Sequence, residues 1–319
     1  MANKFLATVG VLAVVVAIGW FVLHQDRTTD RTTMVSDNTN VTVAATFYPL
    51  AYFAEQVGGK QVSVINVTPS GAEPHDYEPS PRDLIKVGQA KVVLINGAGL
   101  DPWAEKASAE WKQKGQQVVI MSEAVELMAA PAEGEEEGEE HNHGAYDPHF
   151  WLDPVRARQI IGIIRDQLIL VDPVNADLYR QNAVTAIERL IALDADYKIG
   201  LAQCAQHEVV AAHDAYGYLA ARYNLTMYPI AGLSPEAEPS ARRLAELSDL
   251  VKAKKINTIF FETLTSHKLA DTLAREAGVK TAVLNPIEGL TPNEAAAGKN
   301  YDILMRENLA QLRLALVCQ

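Results

Sequence analysis

The sequence predicts an α/β protein of two lobes, each a parallel sheet flanked by helices, joined by one long helix. Three observations predict it. Residues 41–121 alternate short β-branched runs with helical segments that open on proline, the β-α-β-α order that builds a parallel sheet. Residues 207–319 repeat that alternation. Between them, residues 173–201 carry Ala183, Ile187, Leu190, Ile191 and Leu193 at helical spacing, long enough to join two halves. With 319 residues and 48% hydrophobic content, the chain can bury two medium cores.

In chain order, residues 5–23 are uncharged and apolar, a helix of ~28 Å at ~1.5 Å per residue, close to a bilayer core. Bulky Ile18, Trp20 and Phe21 stand where a cleavable signal offers small residues, so the segment 1–23 reads as an uncleaved anchor. Cleavage would instead leave a periplasmic protein. Lys4 precedes the segment and the charges of Asp26, Arg27, Asp30 and Arg31 cancel after it, which places the body outside the cytoplasm. Residues 24–40 form a polar tether.

The first lobe, 41–153, offers strands at 41–47, 62–67, 92–95 and 118–121 and helices at 49–57, from Pro81 with Ser80 as its cap, and at 102–111. Residues 131–146 break the pattern with six Glu, His141 and His143, an acidic solvated loop whose imidazoles give it an accessory metal-collecting role. Helices at 154–170 and 173–201 make the connection, 154–206. The second lobe, 207–319, offers strands at 208–212, 225–230, 256–261 and 280–284, with helices from about 214, 239, 267 and 299.

Four histidine- or glutamate-bearing stretches fall at the ends of apolar runs. His75 lies in Gly-Ala-Glu-Pro-His-Asp-Tyr-Glu-Pro-Ser-Pro at 71–81, stiffened by prolines on both sides. A lone loop imidazole is ordinarily just solvated, so His75 gains weight only from its company. That company is His149 in Asp-Pro-His-Phe-Trp-Leu-Asp-Pro at 147–154, His213 in His-Asp-Ala-Tyr-Gly-Tyr at 213–218, and Glu288 in Leu-Asn-Pro-Ile-Glu-Gly-Leu at 284–290. Three imidazoles and one carboxylate suit a divalent ion, zinc first, held in the cleft between the lobes. Asn285 offers only a weak carbonyl, Glu236 and Glu238 shape a nearby loop, and His207 and His267 are surface residues. Binding needs deprotonated imidazoles, so affinity should fall below about pH 6.

These four stretches, with Gly-Leu-Ser-Pro-Glu-Ala-Glu-Pro-Ser at 232–240, resemble the zinc/manganese solute-binding proteins of ABC transporters across residues 41–316. The resemblance implies capture of Zn2+, with Mn2+ as the alternative, and delivery to a membrane permease driven by a cytoplasmic ATPase. It implies no catalysis, a monomer, and a connecting helix that limits hinge motion. Many Gram-positive members carry a lipidated cysteine after the apolar segment. None stands there in this sequence.

The remaining composition is exclusionary. A net charge of −12 argues against nucleic acid, which demands clustered Lys and Arg. Cys204 and Cys318 lack the short paired spacing of a zinc thiolate site, and in an oxidising compartment they can pair as a disulfide. A zinc hydrolase would need a free general base that no motif here supplies. A metal-storage module or surface adhesin is suggested only by the anchor and the acidic loop.

Overall fold

Eight short strands, every pairing parallel, make two four-stranded sheets in this computed structural model, which describes residues 40–130, 145–236 and 239–319. The expected anchor and the tether up to residue 39, together with His141, His143 and Glu238, lie outside the described residues. The first sheet runs β2 (Val62–Asn66), β1 (Val41–Ala45), β3 (Val92–Ile95), β4 (Gln117–Ile120). The second repeats that order with β6 (Thr226–Pro229), β5 (Glu208–Ala211), β7 (Thr258–Phe261), β8 (Lys280–Val283). Registers such as Val43↔Val64, Val43↔Val92 and Val210↔Tyr228 align the strand ends at one edge of each sheet. Central β3 is buried at all four positions, the continuous apolar run that a strand covered on both faces requires.

Proline and capping side chains set the helix starts. Helices α1 (Tyr48–Gly58), α2 (Pro81–Val87), α3 (Pro102–Gln113) and α4 (Pro154–Val171) each carry Pro in the first turn, where its missing N–H costs nothing. Ser80 and Asp153 accept from Asp83 N and Val155 N, capping α2 and α4 as side-chain oxygens do. A 3-10 turn at Pro173–Asn175 then leads into α5 (Ala176–Gly200), the long helix. The second half adds α6 (Gly217–Tyr223), α7 (Ala241–Lys254), α8 (Lys268–Ala277), α9 (Pro292–Ala296) and α10 (Tyr301–Ala315).

One helix start and one short helix differ most from the sequence reading. Helix α6 begins at Gly217 rather than near residue 214, because Asp214 N bonds Gly232 O and holds the preceding residues out of the helix. Short α9 was not anticipated, although Thr291 and Glu294 form a reciprocal capping box that marks its start.

Apolar packing joins the halves on one side and separates them on the other. A single cluster runs from Phe47, Leu50 and Phe53 through Ile160, Ile164, Leu190 and Tyr197 to Tyr216, Leu304 and Leu312. The outer faces carry independent clusters, Val87, Val93 and Trp111 in the first half and Val210, Leu247 and Leu273 in the second. Helix α5 packs on α1 and α4 and also on α10, and Tyr197 donates to Met305 O while Arg189 reaches both Gln56 and Asp302. It is a spine held from both sides. A disulfide between Cys204 and Cys318 ties the residue after α10 to the segment before β5.

Candidate metal centre

His213 and Glu288 stand shortly past the carboxyl ends of β5 and β8, where a parallel sheet opens its crevice, while His75 and His149 come from longer connections after β2 and β4. After β2, the pairing continues through Val67 N to Ala45 O and Thr68 N to Thr46 O, and Gly71 then turns with φ +86°, a left-handed value that suits glycine. The loop ends on His75, whose backbone N–H donates to Glu73 Oε1. His149 follows an antiparallel bridge between Ala129 and Tyr146, and Asn96 Nδ2 at the end of β3 holds Pro148 O. His213 lies two residues beyond β5. Glu288 lies in the loop after β8, where Asn285 Oδ1 accepts from Ile287 N and Asn308 clamps Asn285 at both its N and its O.

The four side chains converge. His149 Nε2 lies 3.3 Å from His75 Nε2 and 3.3 Å from His213 Nε2. Glu288 Oε1 lies 3.5, 3.4 and 3.3 Å from Nε2 of His75, His149 and His213. Four donors at ~2.0–2.1 Å around a tetrahedral zinc stand ~3.3–3.4 Å apart, so five of the six edges match that polyhedron. All donor atoms fall within 4.8 Å of one another. Both Glu288 oxygens are buried without a conventional hydrogen-bond partner, a state that is costly unless a cation sits between the donors. The residues present therefore fit a divalent ion. No step of chemistry is needed beyond holding and releasing it.

Two carboxylates orient the imidazoles. Asp147 Oδ1 accepts from His149 Nδ1 at 2.8 Å and Glu262 Oε1 accepts from His213 Nδ1 at 2.6 Å, so each ring keeps a proton on Nδ1 and points Nε2 inward, where a metal ion competes with a second proton. Burial pulls the pKa of His149 down, but the hydrogen bond to Asp147 and the nearby Glu288 carboxylate outweigh it and leave the ring above its ordinary value. For His213, burial is overcome by the charges of Glu262 and Glu288, and the pKa rises well above the usual 6.5. His75 has no such partner, and burial takes it down to about 4. Burial also opposes ionisation of Glu288, but the nearby His213 charge and the three imidazole contacts hold its carboxyl well below the ordinary range. Glu73, within the His75 loop, is pushed up to about 10 by burial and by repulsion from Glu288.

All four residues singled out from the sequence meet here, and His207 and His267 are exposed. Asp147 and Glu262 were not assigned their roles in advance. Asp147 carries a signal, its Asp-x-His spacing to His149. Glu262 carries none, because it lies 49 positions from His213 and meets it only where β7 pairs with β5. Asn285 is no ligand: its side chain braces the loop by bonding Ile287 N, Thr263 and Glu294. Ile287 needs that brace, since a β-branched residue at φ +59° is strained.

The family described as "Zinc-uptake complex component A periplasmic" matches residues 43–315. This chain belongs to that zinc-uptake component A family. Its relatives include the zinc-binding lipoprotein AdcA of Streptococcus pneumoniae, 41% identical over 276 residues covering 85% of this chain and 55% of that protein. They also include the high-affinity zinc uptake system protein ZnuA of Bacillus subtilis, 37% identical over 282 residues covering 86% and 87%. The chain thus spans about half the length of the AdcA relatives it matches and most of the length of ZnuA. Among solved structures, the Zn(II)-bound ZnuA-like domain of S. pneumoniae AdcA superposes with a TM-score of 0.75 at 39% identity, over 87% of this chain and 99% of that one. The two-sheet architecture matches that of these structures, and the four side chains converge among residues contributed by both sheets.

Proposed function

We propose that this protein captures Zn2+ outside the cytoplasm through His75, His149, His213 and Glu288 and delivers it to an ABC-type permease driven by a cytoplasmic ATPase. One observation carries the reading: three imidazole nitrogens and one carboxylate oxygen from both halves meet at tetrahedral-edge distances in a buried cleft. Membership of a zinc-uptake family and relatives named for zinc binding support it. Three nitrogen donors favour zinc over manganese, which prefers oxygen-rich shells. Four protein donors close the coordination sphere, whereas a catalytic zinc keeps a position for water, so the protein acts as a carrier and not as a hydrolase.

The remaining parts of the reading concern the whole chain. The segment 1–23 anchors the protein to the outer face of the membrane, or is removed to leave it periplasmic. The body divides at 41–153, 154–206 and 207–319, works as a monomer, and uses His141 and His143 to collect ions for the main site. Metal analysis of protein purified without chelator, followed by competitive titration with Zn2+ and Mn2+, tests the cargo, the main site and the accessory loop. One tightly held zinc per chain is expected, with any weaker ions lost on deleting residues 131–146. Several equally tight ions would instead mean storage, and a preference for Mn2+ would reassign the cargo.

A further inference from the structure

Two aromatic side chains reach across the cleft in opposite directions. Trp151, in the turn after His149, donates its Nε1–H to Pro286 O at 2.8 Å, two residues before Glu288. Tyr218, on α6, donates its hydroxyl to Asp147 O at 2.7 Å and accepts from Met128 N at 2.9 Å. Asp147 is the carboxylate that orients His149. Each half thus grips the backbone that presents the other half's ligand.

The grip is tight on both sides. Trp151 and Tyr218 are 0% and 1% exposed, so no water stands ready to replace either bond when it breaks. A Cβ at Gly217 would lie 2.7 Å from Asp147 Oδ2, which means α6 approaches the carboxylate as closely as glycine permits. On the other side, Ile287 is strained at φ +59° between Pro286 and Glu288 and needs external support. Trp151 supplies it from across the cleft.

The geometry points to Trp151 and Tyr218 as positioning residues that couple retention of the ion to contact between the halves. The inference rests on the metal-centre reading above. Neither side chain is a ligand. Separation of the halves breaks both bonds, freeing His149 through Asp147 and Glu288 through Pro286, so the site loosens from both sides in one movement.

The substitutions Trp151→Phe and Tyr218→Phe keep an aromatic ring and remove the polar atom. Tyr197→Phe is the control: it deletes a buried hydroxyl bond to Met305 O, 2.7 Å, between α5 and α10, helices that carry no ligand. Zinc release from the full chain is followed by stopped-flow transfer to a chromophoric chelator, and the metal-free forms are melted in parallel. Trp151→Phe and Tyr218→Phe are expected to release zinc about tenfold faster than wild type, the weight of one buried hydrogen bond. Tyr197→Phe should lower the melting temperature of the metal-free form and release zinc at the wild-type rate. Wild-type release from both test variants, or equal acceleration in the control, overturns the inference while leaving the metal centre intact. Failure of the wild-type chain to hold zinc overturns the metal-centre reading and the inference with it.

Discussion

The position two residues past the first strand is Phe47 in one half and His213 in the other; the position one past the third strand is Asn96 in one and Glu262 in the other. Phe47 packs edge-on against Trp151 at 4.7 Å, and Asn96 holds Pro148 O. Their counterparts bind and orient: His213 offers Nε2 to the centre while Glu262 fixes its ring. One strand order thus supplies equivalent addresses at the sheet edge, and residue identity decides whether an address packs, braces or coordinates. The first half takes its ligands from elsewhere, His75 from the loop after edge strand β2 and His149 from the residue that opens the 3-10 turn Phe150–Leu152.

The contrast predicts where the centre is weakest. Glu262→Gln and Asp147→Asn each remove the charge that orients a histidine, and each should weaken zinc binding by about 10–100-fold in a competition titration. The larger loss is expected for Glu262→Gln, because Glu262 bonds both Nδ1 and the backbone N of His213 and its charge shifts that ring most. Equal small losses would mean that the packed backbone alone aims the rings.

The halves also differ in protons. The Glu262 and Glu288 charges overcome burial and raise His213 above the usual 6.5, whereas burial lowers His75 to about 4, so His213 holds its proton to higher pH than His75 does. Zinc must displace the proton on His213 wherever that ring is protonated, so affinity climbs with pH by about tenfold per unit for one proton below the raised value and levels off above it. The fall therefore begins at higher pH than the limit near 6 expected from free histidine. Calorimetry in two buffers of different ionisation heat should report proton release at pH 6.5 that shrinks in Glu262→Gln; no release would return His213 to the neutral state.

The smallest effect on zinc is expected from the disulfide. Cys204 and Cys318 close a span of 114 residues that holds all four strands of the second sheet, and no such link closes the first. Reduction should cost about 2–4 kcal/mol of stability, read as a lower melting temperature, while zinc affinity stays within about twofold. A large loss of affinity would show that the cross-link shapes the cleft.

Much of this was legible along the chain. Prolines opening the helices, buried β-branched runs and the repeated alternation specify two parallel sheets, because local propensity and apolar periodicity act over a few residues. His75, His149, His213 and Glu288 stood out because each ends an apolar run. Asp147 could have been read from its spacing to His149, and α9 from Thr291 and Glu294. The sequence by itself determined the elements, their order and the four residues singled out as candidate ligands. Only the tertiary structure decided that Glu262 faces His213, that Asn285 braces rather than binds, and that Trp151 and Tyr218 cross between the halves. Those relations depend on which strand ends lie side by side, and parallel pairing brings together residues whose separation along the chain leaves no local trace.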